Sequence, residues 1–201
     1  MPLRLGILGG SFNPIHHAHL FTAEVVAAAY RLDRVLLVPA GQSPLKRRAT
    51  VPVEDRVAMA RLAADGNSLL KVSTIDVDRP PPSYTVDTLR LIGEQYPGAE
   101  LFLILGIDAL ADLLEWRDPE GLIDQARIVV VSRPGFELAV PDDVRARLGK
   151  RVERIMLRPM PPLDISSTEL RRRLLKGEPV RYLLPEPVER YIRARGLYGA
   201  A

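Results

Sequence analysis

All three histidines of the chain lie in one four-residue stretch, His16-His17-Ala18-His19. His16 and His19 are three residues apart, so in the first turn of a helix both side chains lie on the same side. Two imidazole N–H groups directed at one point can hold phosphate oxygens and stabilise charge that develops there during in-line transfer. His17 is interpreted as a spacer. A zinc pair and two solvated histidines are the alternatives, and zinc lacks an obvious third ligand.

A glycine turn, Gly9-Gly10-Ser11-Phe12, stands directly before these histidines. Glycine allows backbone N–H groups to approach a polyphosphate closely, and the N-terminus of a following helix adds positive potential. Neither the G-x-G-x-x-G pattern nor the lysine-containing P-loop is present, which disfavours a dehydrogenase-type dinucleotide fold and a kinase-type phosphate loop. The turn is therefore interpreted as a phosphate cradle.

A second group of hydroxyls, Ser166-Ser167-Thr168, lies far along the sequence from the first. Ser166 is predicted to cap a helix, with Glu169 completing a capping box. Hydroxyls and N–H groups at a helix start can receive an anion, and Arg171, about one turn further on, can return towards it. An ordinary capped helix is the alternative.

Apolar runs alternate with helical patterns along the chain. The runs are rich in Leu and β-branched residues, which is typical of strands buried on both faces. The alternation predicts an α/β fold, a Rossmann-like, doubly wound, mostly parallel sheet with helices on both faces and ligands beyond the carboxyl ends of the strands. The predicted strands are residues 3–8, 35–38, 69–77, 101–105, 128–131 and 155–157, and the clearest helices are 20–30, 54–64 and 85–96.

The chain is interpreted as a single domain over its 201 residues, with a Rossmann-like core over 1–158 and a small C-terminal helical part over 159–201. The consecutive prolines of Arg158-Pro159-Met160-Pro161-Pro162 disfavour both helix and central strand, so this segment is expected to connect the two parts. One helix is predicted from the Ser166 cap to near Gly177, and another from about Pro185 to before Gly196.

The composition excludes several classes of protein. Hydrophobic residues make up 47% of the chain, and no apolar run approaches the roughly 18 residues that cross a bilayer. The first residues lack the pattern of an export signal, and the absence of Cys excludes disulfides and thiolate chemistry. We therefore expect a cytoplasmic protein with no membrane partner. A formal charge of +3 is too small to indicate a nucleic-acid partner. A homo-oligomer is kept as one alternative for the oligomeric state.

Two segments resemble the signatures of one superfamily. Residues 9–19 resemble the H-x-G-H signature of the nucleotidylyltransferases, and Ile165-Ser166-Ser167-Thr168-Glu169-Leu170-Arg171 resembles their I-S-S-T-x-[IL]-R signature. Ala18 stands where the first signature has Gly. The resemblance implies that the loop at 165–168 holds the phosphates and adenine of ATP, with Arg171 on the β- and γ-phosphates.

Three further segments are similar to the bacterial nicotinate-nucleotide adenylyltransferase family. Ser83-Tyr84-Thr85-Val86-Asp87-Thr88-Leu89 is similar to its S-Y-T-x-D-T-L segment. Gly106-Ile107-Asp108-Ala109-Leu110, with Leu113 and Trp116, is similar to its G-x-D-x-L…L…W segment. Val38-Pro39-Ala40, Lys46 and Arg56 follow its P-x…K…R order, although Leu45 stands where the family often has His.

The family implies a site for a pyridine ring and its carboxylate. Trp116 is expected on a helix after the strand at 101–105, where its indole can stack on the pyridine, with a core or rim aromatic as the alternative. Thr85 is expected to cap or open its helix and to receive the carboxylate, with plain N-capping as the alternative. The same site is assigned Ser83, Tyr84 and Arg117.

The nucleotide site takes further residues. Asp108 suits ribose hydroxyl or amide recognition, or only caps the next helix. Lys46 would meet a phosphate, with a solvated loop lysine as the alternative. Gly106 and Arg133 are assigned to the nucleotide because each follows a predicted strand, and Arg133 is the weaker candidate.

The resemblance implies adenylyl transfer from ATP to nicotinate mononucleotide, giving deamido-NAD and pyrophosphate in NAD biosynthesis. His16 and His19 would stabilise the transferring phosphate while Lys46 and Arg171 hold the triphosphate. Mg²⁺ would be carried by ATP phosphates and water, so no metal site of protein ligands is expected. The rivals are phosphopantetheine adenylyltransferase or another sister enzyme, and a catalytically silent nucleotide-binding regulator, for which Ala18 is the supporting feature.

Overall fold

A computed structural model describes residues 1–41 and 51–200. In these residues six strands form one sheet in the order β3-β2-β1-β4-β5-β6, and every neighbouring pair is parallel. The doubly wound parallel sheet predicted from the apolar runs is thereby confirmed. The strands are β1 (Arg4–Gly10), β2 (Arg34–Pro39), β3 (Leu70–Val72), β4 (Glu100–Gly106), β5 (Arg127–Val131) and β6 (Ile155–Arg158).

Helices follow most of the strands. The larger ones are α1 (His17–Tyr30), α2 (Val53–Ala64), α3 (Thr85–Gln95), α4 (Ile107–Ala111), α5 (Pro119–Gln125), α6 (Asp142–Leu148), α7 (Ser167–Leu175) and α8 (Glu186–Ala194). Short 3₁₀ turns occupy Leu113–Glu115, Gly149–Arg154 and Leu197–Gly199. In this part of the chain, no helix combines the length and the apolar character needed to span a bilayer.

The sheet is buried on both faces because each central strand alternates its side chains between two apolar clusters. In β2, Val35 and Leu37 belong to one cluster and Leu36 and Val38 to the other. The first cluster takes buried residues from α1, α2, α7 and α8, and the second takes them from α3, α4, α5 and α6. Burial on both faces explains why the strands read as continuous apolar runs in the sequence.

The third strand is shorter than predicted. The apolar pattern suggested a strand over residues 69–77, whereas β3 covers only Leu70–Val72. The chain then turns, because the Thr74 carbonyl accepts from the N–H groups of Val77 and Asp78 and the Thr74 hydroxyl donates to the Asp78 carboxylate at 2.7 Å. A threonine that bonds its own neighbours in this way competes with the sheet.

Candidate active site

The carboxyl ends of β1, β2, β4 and β5 meet at one edge of the sheet, and the predicted functional segments follow them. β1 lies between β2 and β4, so the chain winds away from it in both directions. A ligand crevice is expected at such a switch point. The turn that begins at Gly9 enters this crevice directly from β1.

The two histidines predicted to face the same side do so. The rings of His16 and His19 stack with centroids 3.7 Å apart at 26°. The backbone N–H of His16 donates to Nδ1 of His19 at 3.2 Å, so a neutral His19 carries its proton on Nε2. His16 is only 4% exposed, and its Nδ1 atom is buried with no hydrogen-bond partner in the described residues.

Burial decides the charge of His16. Loss of solvent, followed by the positive charges of Arg133 and of His17, lowers the pKa of His16 to about 3. The imidazole is therefore neutral at ordinary pH, and two stacked rings do not carry two positive charges. His16 can contribute hydrogen bonding but not a full charge to a bound phosphate.

Phe12 does not offer its side chain to a nucleotide, contrary to the expectation for this residue. Its side chain is 1% exposed, and its ring meets the His19 ring edge-on with centroids 5.1 Å apart. The backbone at Phe12 is left-handed, with φ of 45°. A Cβ at Gly10 would lie 3.2 Å from the Phe12 ring, a tight contact to which this ring would have to adjust. Only the backbone of Phe12 remains for ligand contact, while its ring supports His19.

Arg56 braces the glycine turn from behind. Its guanidinium donates from Nη1 to the Ser11 carbonyl at 2.7 Å and from Nη2 to the Gly41 carbonyl at 3.1 Å. Arg56 is 2% exposed, and burial lowers its pKa. Within residues 1–41 and 51–200 it forms no ion pair with a carboxylate. Its positive charge is therefore not neutralised there, and it lies next to the proposed phosphate cradle. Apart from the place of Arg56 in the P-x…K…R order, no pattern in the sequence indicates this role.

The second signature packs directly on the first. Ser166 caps α7 by accepting from the N–H of Glu169 at 3.2 Å, as predicted. The Glu169 carboxylate pairs with Arg172 and Arg173. The Ser167 hydroxyl donates to the Pro14 carbonyl at 2.9 Å. Segments about 150 residues apart in sequence thus form one surface.

Arg171 lies at this junction, half-buried. Its Nη1 donates to the Asn13 carbonyl at 2.8 Å and its Nη2 to the Thr168 hydroxyl at 3.1 Å. The guanidinium is therefore fixed beside the turn that precedes His16, which suits the predicted role on phosphates. Ile165 is partly buried against the first apolar cluster, so its side chain contributes packing.

A cavity of about 430 Å³ adjoins the glycine turn. Apolar and polar residues both line it, and Trp116 is among them. The predicted residues that line it are Gly9, Gly10, Ser11, Ser83, Tyr84, Thr85, Asp108, Trp116 and Arg117. The others that line it are Val38, Ala40, Asp76, Leu103, Leu105, Ala109, Asp112 and Glu115. The predicted residues of the described ranges that do not line this cavity are Phe12, the histidines, Gly106, Arg133 and the 165–171 segment.

Trp116 was expected on a helix, and this is wrong. It follows the 3₁₀ turn Leu113–Glu115 with extended backbone, because α4 ends at Ala111 and the next helix begins only at Pro119. The side chain is partly buried against the second apolar cluster and also lines the cavity. The two interpretations of Trp116 are therefore compatible, since the same side chain packs against the core and lines the cavity.

Thr85 opens α3 as its first residue, and Tyr84 stands at the N-cap position without a capping side-chain bond. Plain N-capping by Thr85 is therefore excluded. The segment is held in place by a buried network that the sequence did not predict. The Asp76 carboxylate accepts from the Thr88 hydroxyl at 2.5 Å and from Arg79 at 2.7 Å, and the Ser83 hydroxyl donates to the Asp76 carbonyl.

Asp108 is not a helix cap either. Gly106 is the N-cap residue of α4, and Asp108 lies within its first turn. The Asp108 carboxylate pairs with the Arg133 guanidinium, so the loops after β4 and β5 are tied together. A Cβ at Gly106 would collide with this carboxylate. In the lining of the cavity, the Arg117 guanidinium lies 4.7 Å from the centroid of the Tyr84 ring. Lys46 lies outside the described residues.

Many known proteins are similar to this chain in sequence. Residues 7–173 match the model of the cytidylyltransferase-like family. A probable nicotinate-nucleotide adenylyltransferase from Roseiflexus sp. (strain RS-1) is 52% identical over 196 residues, which cover 96% of this chain and 97% of that protein. The corresponding protein of Thermomicrobium roseum is 43% identical and covers 97% and 91%.

Solved structures show the same fold. A Plasmodium falciparum nicotinic acid mononucleotide adenylyltransferase complexed with NaAD superimposes with a TM-score of 0.79 at 20% identity, covering 98% of each chain. Two findings identify the family of this chain: the extent and identity of the sequence matches, and the direct packing of the two signatures on each other. The chain belongs to the cytidylyltransferase-like family and, within it, to the nicotinate-nucleotide adenylyltransferases.

Proposed function

We propose that this chain transfers the adenylyl group of ATP to nicotinate mononucleotide, giving deamido-NAD and pyrophosphate in the biosynthesis of NAD. The relatives' names supply the reaction. One observation carries it to this chain: the stacked histidines, the second signature and the 430 Å³ cavity all adjoin the single turn that leaves β1. Two substrates bound on either side of that turn would meet at the histidines.

The reaction needs positioning and charge stabilisation more than a base. The 5′-phosphate of the mononucleotide is already ionised, so its oxygen can attack the α-phosphorus of ATP directly and expel pyrophosphate. His19, with its proton on Nε2, and neutral His16 would donate to the oxygens of the transferring phosphate. Arg171 and Lys46 would hold the leaving phosphates, and the buried charge of Arg56 supports binding of an anion in the glycine turn.

Mg²⁺ is proposed to arrive with ATP as part of the substrate. In residues 1–41 and 51–200, no three His, Asp or Glu side chains are grouped to hold a metal ion. The ion would neutralise the leaving pyrophosphate. The residues of this chain that would contact the same phosphates are the cationic Arg171 and Lys46.

The cavity is proposed to take the mononucleotide. Trp116 offers a flat face for stacking on a pyridinium ring. Thr85, as the first residue of α3, offers a hydroxyl and an N–H at the positive end of an 11-residue helix. Arg117 adds a cation at the same mouth. These donors favour a carboxylate over an amide on the ring. We further propose that the enzyme works in the cytoplasm.

The test is pyrophosphate release from Mg-ATP with each acceptor supplied separately. Nicotinate mononucleotide is expected to be the preferred acceptor. Phosphopantetheine as the preferred acceptor would identify a sister enzyme. A protein that binds ATP but releases no pyrophosphate with any of the acceptors would be a silent regulator. His19→Ala is the control for contaminating activity, because it removes a predicted catalytic group from a half-buried position.

A further inference from the structure

The turn that precedes the histidines is held by a residue from far along the chain. Tyr198 lies in the 3₁₀ turn Leu197–Gly199, and its hydroxyl donates to Oδ1 of Asn13 at 2.8 Å. Asn13 is buried, and its carbonyl accepts from Arg171 at 2.8 Å. The side-chain oxygen and the backbone carbonyl of Asn13 therefore both accept hydrogen bonds from the C-terminal helical part. Neither contact can be predicted from spacing in the sequence.

The backbone is left-handed both at Tyr198 and at Phe12, the residue directly before Asn13. Tyr198 has φ of 59°, and Phe12 has φ of 45°. Residues other than glycine rarely adopt this conformation, and where they do the surrounding structure must hold them. Burial raises the pKa of Tyr198 above its ordinary value, so its hydroxyl stays protonated and keeps donating. The Tyr198–Asn13 bond is thus one of the contacts that hold the chain next to a left-handed residue.

The tie leads to the catalytic pair by direct contacts. The Phe12 ring is wholly buried and supports the edge of the His19 ring at a centroid distance of 5.1 Å. His19 in turn stacks on His16 and accepts from its backbone N–H. A shift of Asn13 changes the backbone at Phe12, and a shift of the Phe12 ring changes the support beneath His19.

We propose that Tyr198 is a positioning residue for the histidine pair. Through its bond to Asn13 it holds the left-handed turn at Phe12, and through Phe12 it fixes the ring of His19 where the phosphate is transferred. Tyr198 itself does not touch the reacting atoms. The proposal rests on the proposed function for its kinetic consequence, but the placement of the His19 ring can be measured without any turnover.

A matched pair of tyrosines provides the test. Tyr198→Phe removes one hydroxyl and keeps the ring. Tyr191→Phe does the same in α8, where the hydroxyl donates to buried Asp55 at 2.7 Å rather than to Asn13. Each variant is assayed by pyrophosphate release for kcat and KM and by thermal unfolding. The imidazole signals are recorded by NMR on tag-free protein, which has only three histidines.

Tyr198→Phe is expected to lower kcat about tenfold, to leave KM for ATP within about twofold, and to shift the His19 imidazole signals. Tyr191→Phe is expected to lower the melting temperature by a similar amount and to leave kcat and the His19 signals unchanged. A merely structural role for Tyr198 would make the two variants alike. Wild-type kcat with unchanged imidazole signals in Tyr198→Phe overturns the proposal.

Asn13→Ala keeps the test decisive if Tyr198→Phe does not fold. It removes Oδ1 of Asn13, the acceptor of the Tyr198–Asn13 bond, and must also lower kcat and shift the His19 imidazole signals. The double variant is expected to lose no more kcat than Asn13→Ala alone, because both changes break one bond. Additive losses overturn the proposal. If the wild type releases no pyrophosphate with any acceptor, the proposed function fails and the imidazole signals alone decide the role of Tyr198.

Discussion

Replacing His16 with glutamine should remove much of the loss of stability that this protein suffers on mild acidification. His16 is neutral in the folded chain because burial and neighbouring positive charge lower its pKa from 6.5 to about 3. In the unfolded chain the same imidazole takes up a proton below about pH 6.5. The unfolded state therefore binds more protons between these two pKa values, and stability falls as the pH is lowered through that range.

The size of the effect follows from the two pKa values. At pH 5 the unfolded imidazole is almost fully protonated and the folded one is neutral, whereas at pH 7 both are mostly neutral. The free energy of unfolding should therefore fall by about 2 kcal/mol between pH 7 and pH 5 through His16 alone. His16→Gln lowers stability at both pH values by its packing loss, but it cannot contribute this pH-dependent part.

Urea unfolding at pH 7 and pH 5 measures the difference. Between pH 7 and pH 5 the free energy of unfolding should fall by about 2 kcal/mol more in the wild type than in His16→Gln. The contribution of carboxylates that titrate in both proteins cancels in this difference. A matched control is His17→Gln, which removes a half-buried imidazole from the same turn. If His16→Gln and the wild type lose stability in parallel, within about 0.5 kcal/mol, then His16 is solvated in solution and its assigned neutrality is wrong.

His19→Ala should lower kcat about a hundredfold or more with little change in melting temperature, because it removes charge stabilisation from the transferring phosphate; near-normal turnover would sink this assignment. Trp116→Ala should raise KM for the mononucleotide by about tenfold and KM for ATP far less, because stacking on one aromatic face is worth about 1–3 kcal/mol. Equal effects on both substrates would return Trp116 to a purely packing role. The acid mononucleotide should exceed the amide form in kcat/KM by at least about tenfold, since each donor left unpaired by the amide costs about 1–3 kcal/mol. Equal efficiencies at saturating Mg-ATP would mean that the carboxylate site is misplaced.

The sheet could be predicted because its strands are buried on both faces. Five of the six apolar runs coincide with strands, since nothing in them competes with the ladder. The run at 69–77 was too long because Thr74 bonds its own neighbours, and a hydropathy pattern does not register such bonds. Trp116 was placed on a helix for a related reason, as the pattern could not show where α4 stops.

The candidate site could be predicted only where its residues are consecutive in the sequence. The histidine pair and the Ser166 cap follow from local spacing, and the structure confirms the facing of His16 and His19. Arg56 reaches the glycine turn through bonds to Ser11 and Gly41, and Tyr198 reaches the segment before the histidines through its bond to Asn13. Such long-range bonds depend on how helices dock, which no periodicity encodes.

The contacts between the C-terminal helical part and the turn before the histidines determine when, during synthesis, this protein can first bind its substrates. Ser167 and Tyr198 bond to Pro14 and Asn13 across 153 and 185 positions of chain. A ribosome adds about 5–20 residues each second, so the histidine turn waits on the order of ten seconds for its ties. We expect a nascent chain to form strands early and to bind ATP only after residue 198 has emerged.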